Sequence, residues 1–288
     1  MAEALAAPAD AADRLPGLLP VLAGQVRYQL LILMRTPRAL IASLILPGAL
    51  LALRLGRVSH AARGSAGALS LTAVVAGLVV FGLLGTAYMT HASGLVAARE
   101  DGVLRRWRAA PLPAGGYFTG RMTATVLLTD ASAMILVLIG ITMASLHVTG
   151  MMTVSILVNA TIGALVFAGI GTAVTIVVST AQAANPVLMI TYLPLVILSG
   201  ALGSTAGFPH WLVTVMDYLP ARPLIETMTR VLQQAGQGLV VVSGRDLAVL
   251  LAWGLAGVAV SVAFFRWDPH RPAHASRPAG HQDGAAQG

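Results

Sequence analysis

The sequence predicts an all-α, polytopic membrane protein with about six transmembrane helices, an N-terminal interfacial helix and external re-entrant helices between spans 5 and 6. Hydrophobic residues make up 57% of the 288 residues, charged residues make up only 10%, and the mean hydropathy is +0.80. A soluble domain carries about 25% charged residues. This chain therefore cannot cover its surface with groups that favour water, and its long apolar runs are expected to lie in lipid.

The N-terminal region divides into two segments. Residues 1–17 are rich in Ala, Pro and Asp and contain no hydrophobic core of a signal peptide, so they are predicted to be a disordered tail. Residues 18–36 place Leu22, Val26 and Leu30 on one face at helical spacing, which predicts an amphipathic interfacial helix. Leu31 and Ile32 interrupt the polar face, so the alternative is that this segment is the cytosolic start of the first span.

Residues 37–267 are predicted to form the transmembrane domain, and residues 268–288 a polar, Pro-rich disordered tail. The first span is short, at roughly 22 Å against a hydrocarbon core of about 30 Å, so Arg38 and Arg54 are expected to snorkel. Spans 3 and 4 are separated only by residues 147–150, which predicts an antiparallel pair. The six apolar runs are Ala39–Leu53, Ala68–Thr90, Met122–Leu146, Met151–Val178, Pro186–Leu202 and Leu247–Phe265.

The positive charge comes from arginine alone, because none of the 18 basic residues is lysine. With the N-terminus inside, 12 of the 18 arginines fall on the inner side of the six spans. This asymmetry predicts a multi-pass protein of the cytoplasmic (inner) membrane with both termini cytoplasmic. The arginines flank apolar runs instead of lining a soluble face with interleaved aromatics, so we expect no nucleic-acid partner.

The residue types that are missing exclude several kinds of chemistry. Without lysine the chain has neither the P-loop residue that contacts the β- and γ-phosphates nor a Schiff-base amine. Without cysteine it has no disulfide, no thiolate metal site and no cysteine nucleophile. The HExxH and GxSxG motifs are also missing. We therefore predict a protein that is not an enzyme and that holds no cofactor or metal of its own.

The segment 99–113, between spans 2 and 3, carries an ordered set of charges. Acidic Glu100 and Asp101 come early and Arg105, Arg106 and Arg108 come late, an order that complements a helix dipole. Pro111 and Pro113 follow. The pattern predicts a short cytosolic helix that ends before the prolines and is available to a soluble partner. The alternative is a positive-inside anchor without a partner.

The segment from Ser199 to Gly244 is too apolar for a solvated loop and too often interrupted for a span. Ser199 and Gly200 end the fifth apolar run, and Pro209 and Pro220 interrupt the apolar residues that come after it. Such a pattern favours short re-entrant helices on the outer face, which are tolerated where they pack against protein.

Three polar residues within the spans are candidates for a translocation path or a polar site of the bundle: Asp130, Asn159 and Tyr192. Asp130 lies about 12 Å deep, where an acid is costly, and it is either a proton relay or a structural acid with a partner, the reading we favour. Asn159 is expected to link helices, and His91 to be an interfacial residue at the end of the second span. A ladder of small residues predicts a helix face that packs on protein, comprising Ala160, Ala164, Ala168 and Thr172.

Two of these segments together resemble a known family. The residues Arg99, Glu100, Gly102, Leu104 and Pro111, placed between the second and third of six spans, resemble the signature of type-2 ATP-binding-cassette (ABC) export permeases. The order of Ser199-Gly200, Pro209 and Leu219-Pro220 before the last span is similar to the external segment of that family. The resemblance covers about residues 20–267, and it is similar in particular to drug-resistance permeases of the daunorubicin type. Trp107 departs from it, because the family usually has leucine there.

The resemblance implies a permease subunit that forms a homo- or heterodimer in the lipid bilayer and binds a separate ABC ATPase. That nucleotide-binding subunit would hold ATP and Mg, and its closure would drive export of a hydrophobic or amphiphilic small molecule such as a drug or antibiotic. The family's coupling element corresponds to Arg99, Glu100, Gly102, Leu104 and Arg105.

Two alternatives remain open. An ABC exporter of lipid-linked polysaccharide shares the architecture, but aromatic residues, which bind sugars, are only 5% of this chain. An ion-coupled secondary transporter would use Asp130 as its ion site, but the sequence shows no convincing internal repeat.

Overall fold

The structure is a computed structural model, which describes residues 18–35, 45–50, 53, 65–109, 114–144, 148–201, 208–233, 238–242 and 244–264. All regular secondary structure within these ranges is helical. The α-helices are α1 (Leu18–Arg35), α2 (Ser65–Leu83), α3 (His91–Glu100), α4 (Val103–Ala109), α5 (Ala114–Ala144), α6 (Gly150–Val174), α7 (Ala181–Ser199), α8 (His210–Met216), α9 (Ala221–Gln233) and α10 (Gly244–Phe264). A π-helical stretch, Leu84–Thr90, joins α2 to α3, and a 3-10 turn, Thr175–Val177, extends α6.

Five helical segments in the described part of the chain are long and apolar enough to cross a membrane, which confirms the all-α polytopic fold. Most of the predicted first span, Ala39–Leu53, lies outside the described residues, although residues 45–50 are helical. The two predicted tails, 1–17 and 268–288, also lie outside them. The five segments are Thr72–Glu100, Gly115–Thr142, Gly150–Val177, Ala181–Ser199 and Gly244–Phe264.

The helix of the second predicted span continues ten residues beyond Thr90, so it is longer than the predicted span. The π-helical stretch and α3 carry the same helical rod on to Glu100. Two threonine hydroxyls of the stretch donate to backbone carbonyls one turn earlier, from Thr86 to Gly82 of α2 and from Thr90 to Gly85, each at 3.0 Å. The polar residues that resembled a span boundary are instead buried by neighbouring helices.

Spans 3 and 4 form the antiparallel pair that the short connection predicts. Asp130 of α5 accepts a hydrogen bond from Thr161 of α6. His91 bonds both Thr125 of α5 and Thr172 of α6. Higher residue numbers on α5 therefore lie beside lower residue numbers on α6, as in an antiparallel pair. The helix α5 begins at Ala114, eight residues before the predicted Met122.

Close helix approach depends on small residues. The predicted ladder on α6, from Ala160 to Thr172, is buried along its length, which confirms that this face packs on protein. On another face, Gly169 meets Gly257 of α10, where an added Cβ on Gly257 would lie 2.8 Å from the Gly169 carbonyl carbon. Bulkier residues would separate these helices, as expected for small-residue contacts between membrane helices.

Two short helices occupy the region predicted to be re-entrant. Pro209 precedes α8, and its carbonyl accepts hydrogen bonds from the N–H groups of Leu212 and Val213. The following helix, α9, buries an apolar face against α2 and α6 and exposes Glu226, which pairs with the half-buried Arg222. How deeply the two helices enter the membrane stays a prediction.

Candidate coupling site and buried polar clusters

The predicted coupling segment is a helix end, a turn and a second helix. Glu100 ends α3, Asp101 and Gly102 form the turn, and α4 begins at Val103. Gly102 has a φ of +70°, a left-handed conformation that favours glycine. The short helix predicted from the charge order is therefore present, but it starts after the turn, and Arg99 and Glu100 belong to the preceding span.

Arg99 lies inside the protein, not on its surface. Its side chain is buried, with 2% of the residue exposed. The guanidinium donates to the Thr175 carbonyl at 3.3 Å and to the Val178 carbonyl. The Thr175 carbonyl also accepts the Val178 N–H at 3.2 Å. Both carbonyls lie at the end of the fourth span, where a positive charge complements the helix dipole. Arg99 therefore caps the end of the fourth span.

The neighbouring Glu100 performs the complementary task at the start of the fifth span. Its carboxylate accepts the Ala181 N–H at 2.5 Å, and the Thr180 hydroxyl accepts the Ala183 N–H at 3.2 Å. A carboxylate at a helix N-terminus satisfies a free donor and complements the dipole. We call Arg99 and Glu100, with their contacts at Thr175, Val178 and Ala181, the helix-end clamp.

The helix α4 is held to the bundle by an apolar cluster. Leu104 is fully buried against Leu95 and Tyr117, and the rings of Trp107 and Tyr117 meet edge to face at 6.0 Å between centroids. Because Tyr117 belongs to α5, this contact links α4 to the start of the third span. Leu104 is thus an anchor, whereas Arg105 is exposed.

A buried polar cluster that the sequence did not reveal surrounds His91. The prediction that His91 is interfacial is wrong, because only 1% of the residue is exposed. Its Nδ1 lies 2.8 Å from the Thr125 hydroxyl and its Nε2 lies 3.1 Å from the Thr172 hydroxyl. The imidazole therefore joins spans 2, 3 and 4. Thr125 and Thr172 lie in different spans, so no local pattern indicates that they meet at His91.

Arg121 extends this cluster to the N-terminal helix. It donates to the His91 carbonyl at 2.7 Å and to Gln29 Oε1 of α1 at 3.1 Å. Gly94 provides the necessary space, since a Cβ there would lie 2.6 Å from an Arg121 nitrogen. Arg121 is placed by sequence at the inner end of a span, but the structure makes it the link between α1 and the bundle.

Asp130 has a hydroxyl partner in the next helix. Thr161 Oγ1 donates to Asp130 Oδ2 at 3.0 Å. The other carboxylate oxygen, Oδ1, is buried and has no partner among the described residues. The contact agrees with the structural acid that we favour, whereas a proton relay stays an untested alternative.

Asn159 binds backbone, and it links α6 to a non-helical segment instead of to another helix. Its side-chain amide donates to the carbonyls of Ser155 at 2.7 Å and Val240 at 2.8 Å, and its oxygen accepts the Val242 N–H at 2.9 Å. The Ser155 hydroxyl accepts the Val240 N–H at 3.1 Å. The two side chains together fix residues 238–242, which lead into the last span.

Tyr192 lies in an aromatic environment. It is buried, and its ring stacks with Tyr88 at 6.3 Å and contacts Phe81 at 6.2 Å between centroids. Thr191, its neighbour in sequence, shares a hydrogen bond with the Tyr88 hydroxyl. The three residues predicted as one possible path, Asp130, Asn159 and Tyr192, thus have different partners.

The external residues predicted from the sequence mark helix ends. Gly200 has a φ of +80° and ends α7, while the Ser199 hydroxyl accepts the Ala201 N–H at 3.2 Å. This turn presses against α2, since a Cβ on Gly77 would lie 2.6 Å from the Ala201 carbonyl oxygen. Pro220 lies in the turn between α8 and α9.

A family model described as ABC-2 type transporter matches residues 25–232, a range that runs from α1 to α9 and includes the helix-end clamp. No curated protein matches the chain. The matched range covers well over half of the 288 residues. The chain therefore belongs to the ABC-2 type transporter family, whose members are the permease subunits of ABC transporters and depend on a partner ATPase.

Proposed function

We propose that this permease subunit exports a hydrophobic or amphiphilic small molecule, of the drug or antibiotic class, out of the cell. Hydrolysis of Mg-bound ATP on a separate nucleotide-binding subunit drives the transport. The subunit lies in the cytoplasmic membrane with both termini inside, and it works as a homo- or heterodimer. Membership of the ABC-2 family supports the permease role and the partner ATPase, while the direction, the substrate and the dimer are proposals.

The observation that carries the proposal is the exposed, charged surface of the coupling segment. Arg105 and Arg106 are exposed on α4, which Leu104 and Trp107 hold against the bundle. Asp101 is exposed in the turn that precedes α4. Charges fixed on a rigid element suit specific recognition of a soluble subunit through complementary charge. The absence of lysine supports the same division of labour, because the chain itself lacks the phosphate-binding residue of an ATPase.

The residue composition of the spans supports the proposed substrate class. They are mainly aliphatic, and aromatic residues make up only 5% of the chain. Aliphatic walls favour an apolar or amphiphilic molecule over a sugar chain, whose binding relies on aromatic faces and polar groups. Resemblance to daunorubicin-type permeases supports the same class.

The dimer proposal draws on two exposed apolar surfaces. Ile190 on α7 is 73% exposed and Val262 on α10 is 83% exposed, so both helices present aliphatic side chains to lipid or to a second permease. Cysteines introduced at Ile190 and Val262 in separate variants would test the dimer by crosslinking, since the chain has no native cysteine. If neither position crosslinks and the purified complex contains one permease, the dimer proposal is wrong.

The function is tested by reconstituting the chain with its ATPase in inside-out vesicles. We expect ATP-dependent uptake of an anthracycline such as daunorubicin, which corresponds to export from the cell, and no uptake when the Walker A lysine of the ATPase is replaced. Without the ATPase, the chain should neither hydrolyse ATP nor accumulate the drug.

Two results would replace the proposal with one of the alternatives. Uptake that follows a proton gradient without ATP and that Asp130→Asn abolishes would indicate a secondary transporter. ATP-dependent transfer of a lipid-linked polysaccharide, without drug uptake, would indicate the polysaccharide exporter.

A further inference from the structure

We infer that Arg99 and Glu100 are positioning residues that transmit displacement of α4 by the ATPase to the connection between the fourth and fifth spans, residues 175–181. The inference rests on the proposed function, since it assumes a soluble ATPase that moves α4. It assigns these two residues to a task within the chain, instead of to direct contact with the partner.

The first argument is the pairing of the two contacts. Adjacent residues hold opposite ends of one connection, with Arg99 on the last carbonyls of the fourth span and Glu100 on the first N–H of the fifth. The positive charge of Arg99 is favourable at the C-terminal end of a helix, and the negative charge of Glu100 is favourable at the N-terminal end. A side chain that served only as a positive-inside anchor would gain nothing from burial against backbone carbonyls 76 and 79 residues away.

The second argument is the stiffness of the parts that the clamp joins. The 3-10 turn ends at Val177, and α7 begins at Ala181, so only three residues separate the two helical ends. At no more than about 3.6 Å per residue, so short a connection cannot absorb a large displacement. On the other side of the clamp, only the Asp101-Gly102 turn separates Glu100 from α4.

The third argument is that α4 is anchored at a separate point. Leu104 and Trp107 hold α4 to Tyr117 at the start of the third span. Displacement of α4 would therefore reach the third span through the apolar cluster and the fourth and fifth spans through the helix-end clamp. Because packed elements move as units, ends that are joined in this way are expected to move together.

Replacing Glu100 distinguishes the clamp from a direct charge contact with the ATPase. Glutamine keeps an oxygen that accepts the Ala181 N–H but removes the charge, whereas alanine removes both. We expect Glu100→Gln to transport at nearly the normal rate. Glu100→Ala should keep its ATPase in a pull-down and hydrolyse ATP, but the amount transported per ATP should fall about fivefold, the effect of one lost helix cap.

The matched controls are Glu226→Gln and Glu226→Ala. Glu226 is also an exposed acid engaged within the chain, through Arg222 at 2.7 Å, but it lies on α9 and outside the coupling segment. Both controls should transport normally. If Glu100→Gln is as defective as Glu100→Ala, or if either variant loses the ATPase, then Glu100 contacts the partner and the clamp is not its function.

Arg99 gives an independent comparison. Arg99→Lys keeps a charged donor that can reach one carbonyl, whereas Arg99→Met keeps the length without a donor. We expect Arg99→Lys to retain part of the transport per ATP and Arg99→Met to lose most of it, with ATPase binding unchanged. Equal transport by the two variants and the wild type would overturn the role of Arg99.

A distance measurement keeps the inference testable even if these variants fold poorly. Cysteines at the exposed positions Ala109 of α4 and Gln182 of α7 can be spin-labelled directly, because the chain has no other cysteine. In the complete complex, the distance between the labels should stay constant on ATP binding while the distances from either label to the ATPase change. A change between the two labels in the presence of Arg99 and Glu100 would show that the ends move separately, contrary to the inference.

Failure of the inference and failure of the proposed function give different results. If no ATPase copurifies with the wild-type chain, the proposed function is wrong. If the wild-type complex transports with ATP but the Glu100 variants or the label distance behave otherwise than expected, only the clamp is wrong.

Discussion

The span Thr72–Glu100 and the last span, Gly244–Phe264, are both strongly apolar, yet they occupy opposite positions in the protein. The first is 83% buried over its most apolar window and the second only 11%. Lipid is as apolar as leucine, so hydrophobicity does not draw a helix from the bilayer into the bundle. The difference lies in polar partners. Tyr88, His91 and Arg99 of the span Thr72–Glu100, which we call the central span, bond to other helices or their ends, whereas the last span packs mainly through small residues.

The largest difference between the two spans is expected when a glycine in each is replaced by leucine. In Gly77→Leu the first added atom would meet the Ala201 carbonyl oxygen at 2.6 Å, and in Gly257→Leu it would meet Gly169 backbone at 2.8 Å. Both sites oppose backbone, which cannot rotate away. We expect Gly77→Leu to destabilise the central bundle by at least about 3 kcal/mol, and Gly257→Leu to displace only α10.

Size-exclusion chromatography after heating measures the destabilisation caused by Gly77→Leu. The second effect should appear in the fluorescence of Trp253, whose indole N–H donates to the Tyr218 carbonyl at 2.9 Å. Greater loss of folded protein with Gly257→Leu than with Gly77→Leu would contradict the comparison.

Removing a buried charge should be nearly as damaging. Arg121→Met leaves the His91 carbonyl and the Gln29 amide without their donor, and we expect a loss of about 3 kcal/mol. Thermal unfolding in detergent measures it. Arg27→Met, at an exposed position on α1, is the matched control and should change stability little. Similar stability for the two variants would mean that Arg121 does not anchor α1.

Asn159→Leu should weaken the attachment of residues 238–242, which lead into the last span, without disturbing the central span. It removes two donated bonds and one accepted bond, and we expect a cost of about 2 kcal/mol. Trypsin, which cleaves this lysine-free chain only after arginine, should cut at Arg245 faster than in the wild type. Ser155→Ala loses one bond to this segment and should have a smaller effect. If cleavage at Arg245 is unchanged, Asn159 does not hold the segment.

The smallest effect is expected at Asp130. Asparagine keeps an oxygen to accept the Thr161 hydroxyl, so Asp130→Asn should change stability by less than about 1 kcal/mol and leave ATP-driven transport largely intact. Transport and unfolding of the same preparation check both points. A severe loss of transport with normal stability would instead assign the carboxylate a direct role in the path.

Sequence reasoning located the membrane helices because hydrophobicity is a local property. It misplaced their ends where polar residues were buried. His91 and Arg99 resembled the boundary of a span, but both bond to distant helices inside the bundle. A boundary of this kind depends on neighbours that no local pattern specifies.

The candidate site also contains features that local sequence predicts and features that depend on distant residues. The charge order of residues 99–108 predicted a helix near this position, because the helix dipole acts within a turn or two. The helix-end clamp could not be predicted, since its partners lie 76 to 81 residues further along the chain. Asn159 was recognised as a polar link, but its partner is the backbone of a non-helical segment, which has no side-chain signal of its own.

The π-helical stretch Leu84–Thr90 changes how positions along the central span must be counted. A π-turn contains one more residue than an α-turn, and one residue corresponds to about 100° around a helix. A helical wheel drawn from Val75 through to Arg99 without that allowance therefore misplaces the direction of Arg99 by about 100° around the helix axis. It also follows that related chains can lose one residue within this stretch and still direct Arg99 toward the same helix end, whereas a deletion within α3 would turn it away.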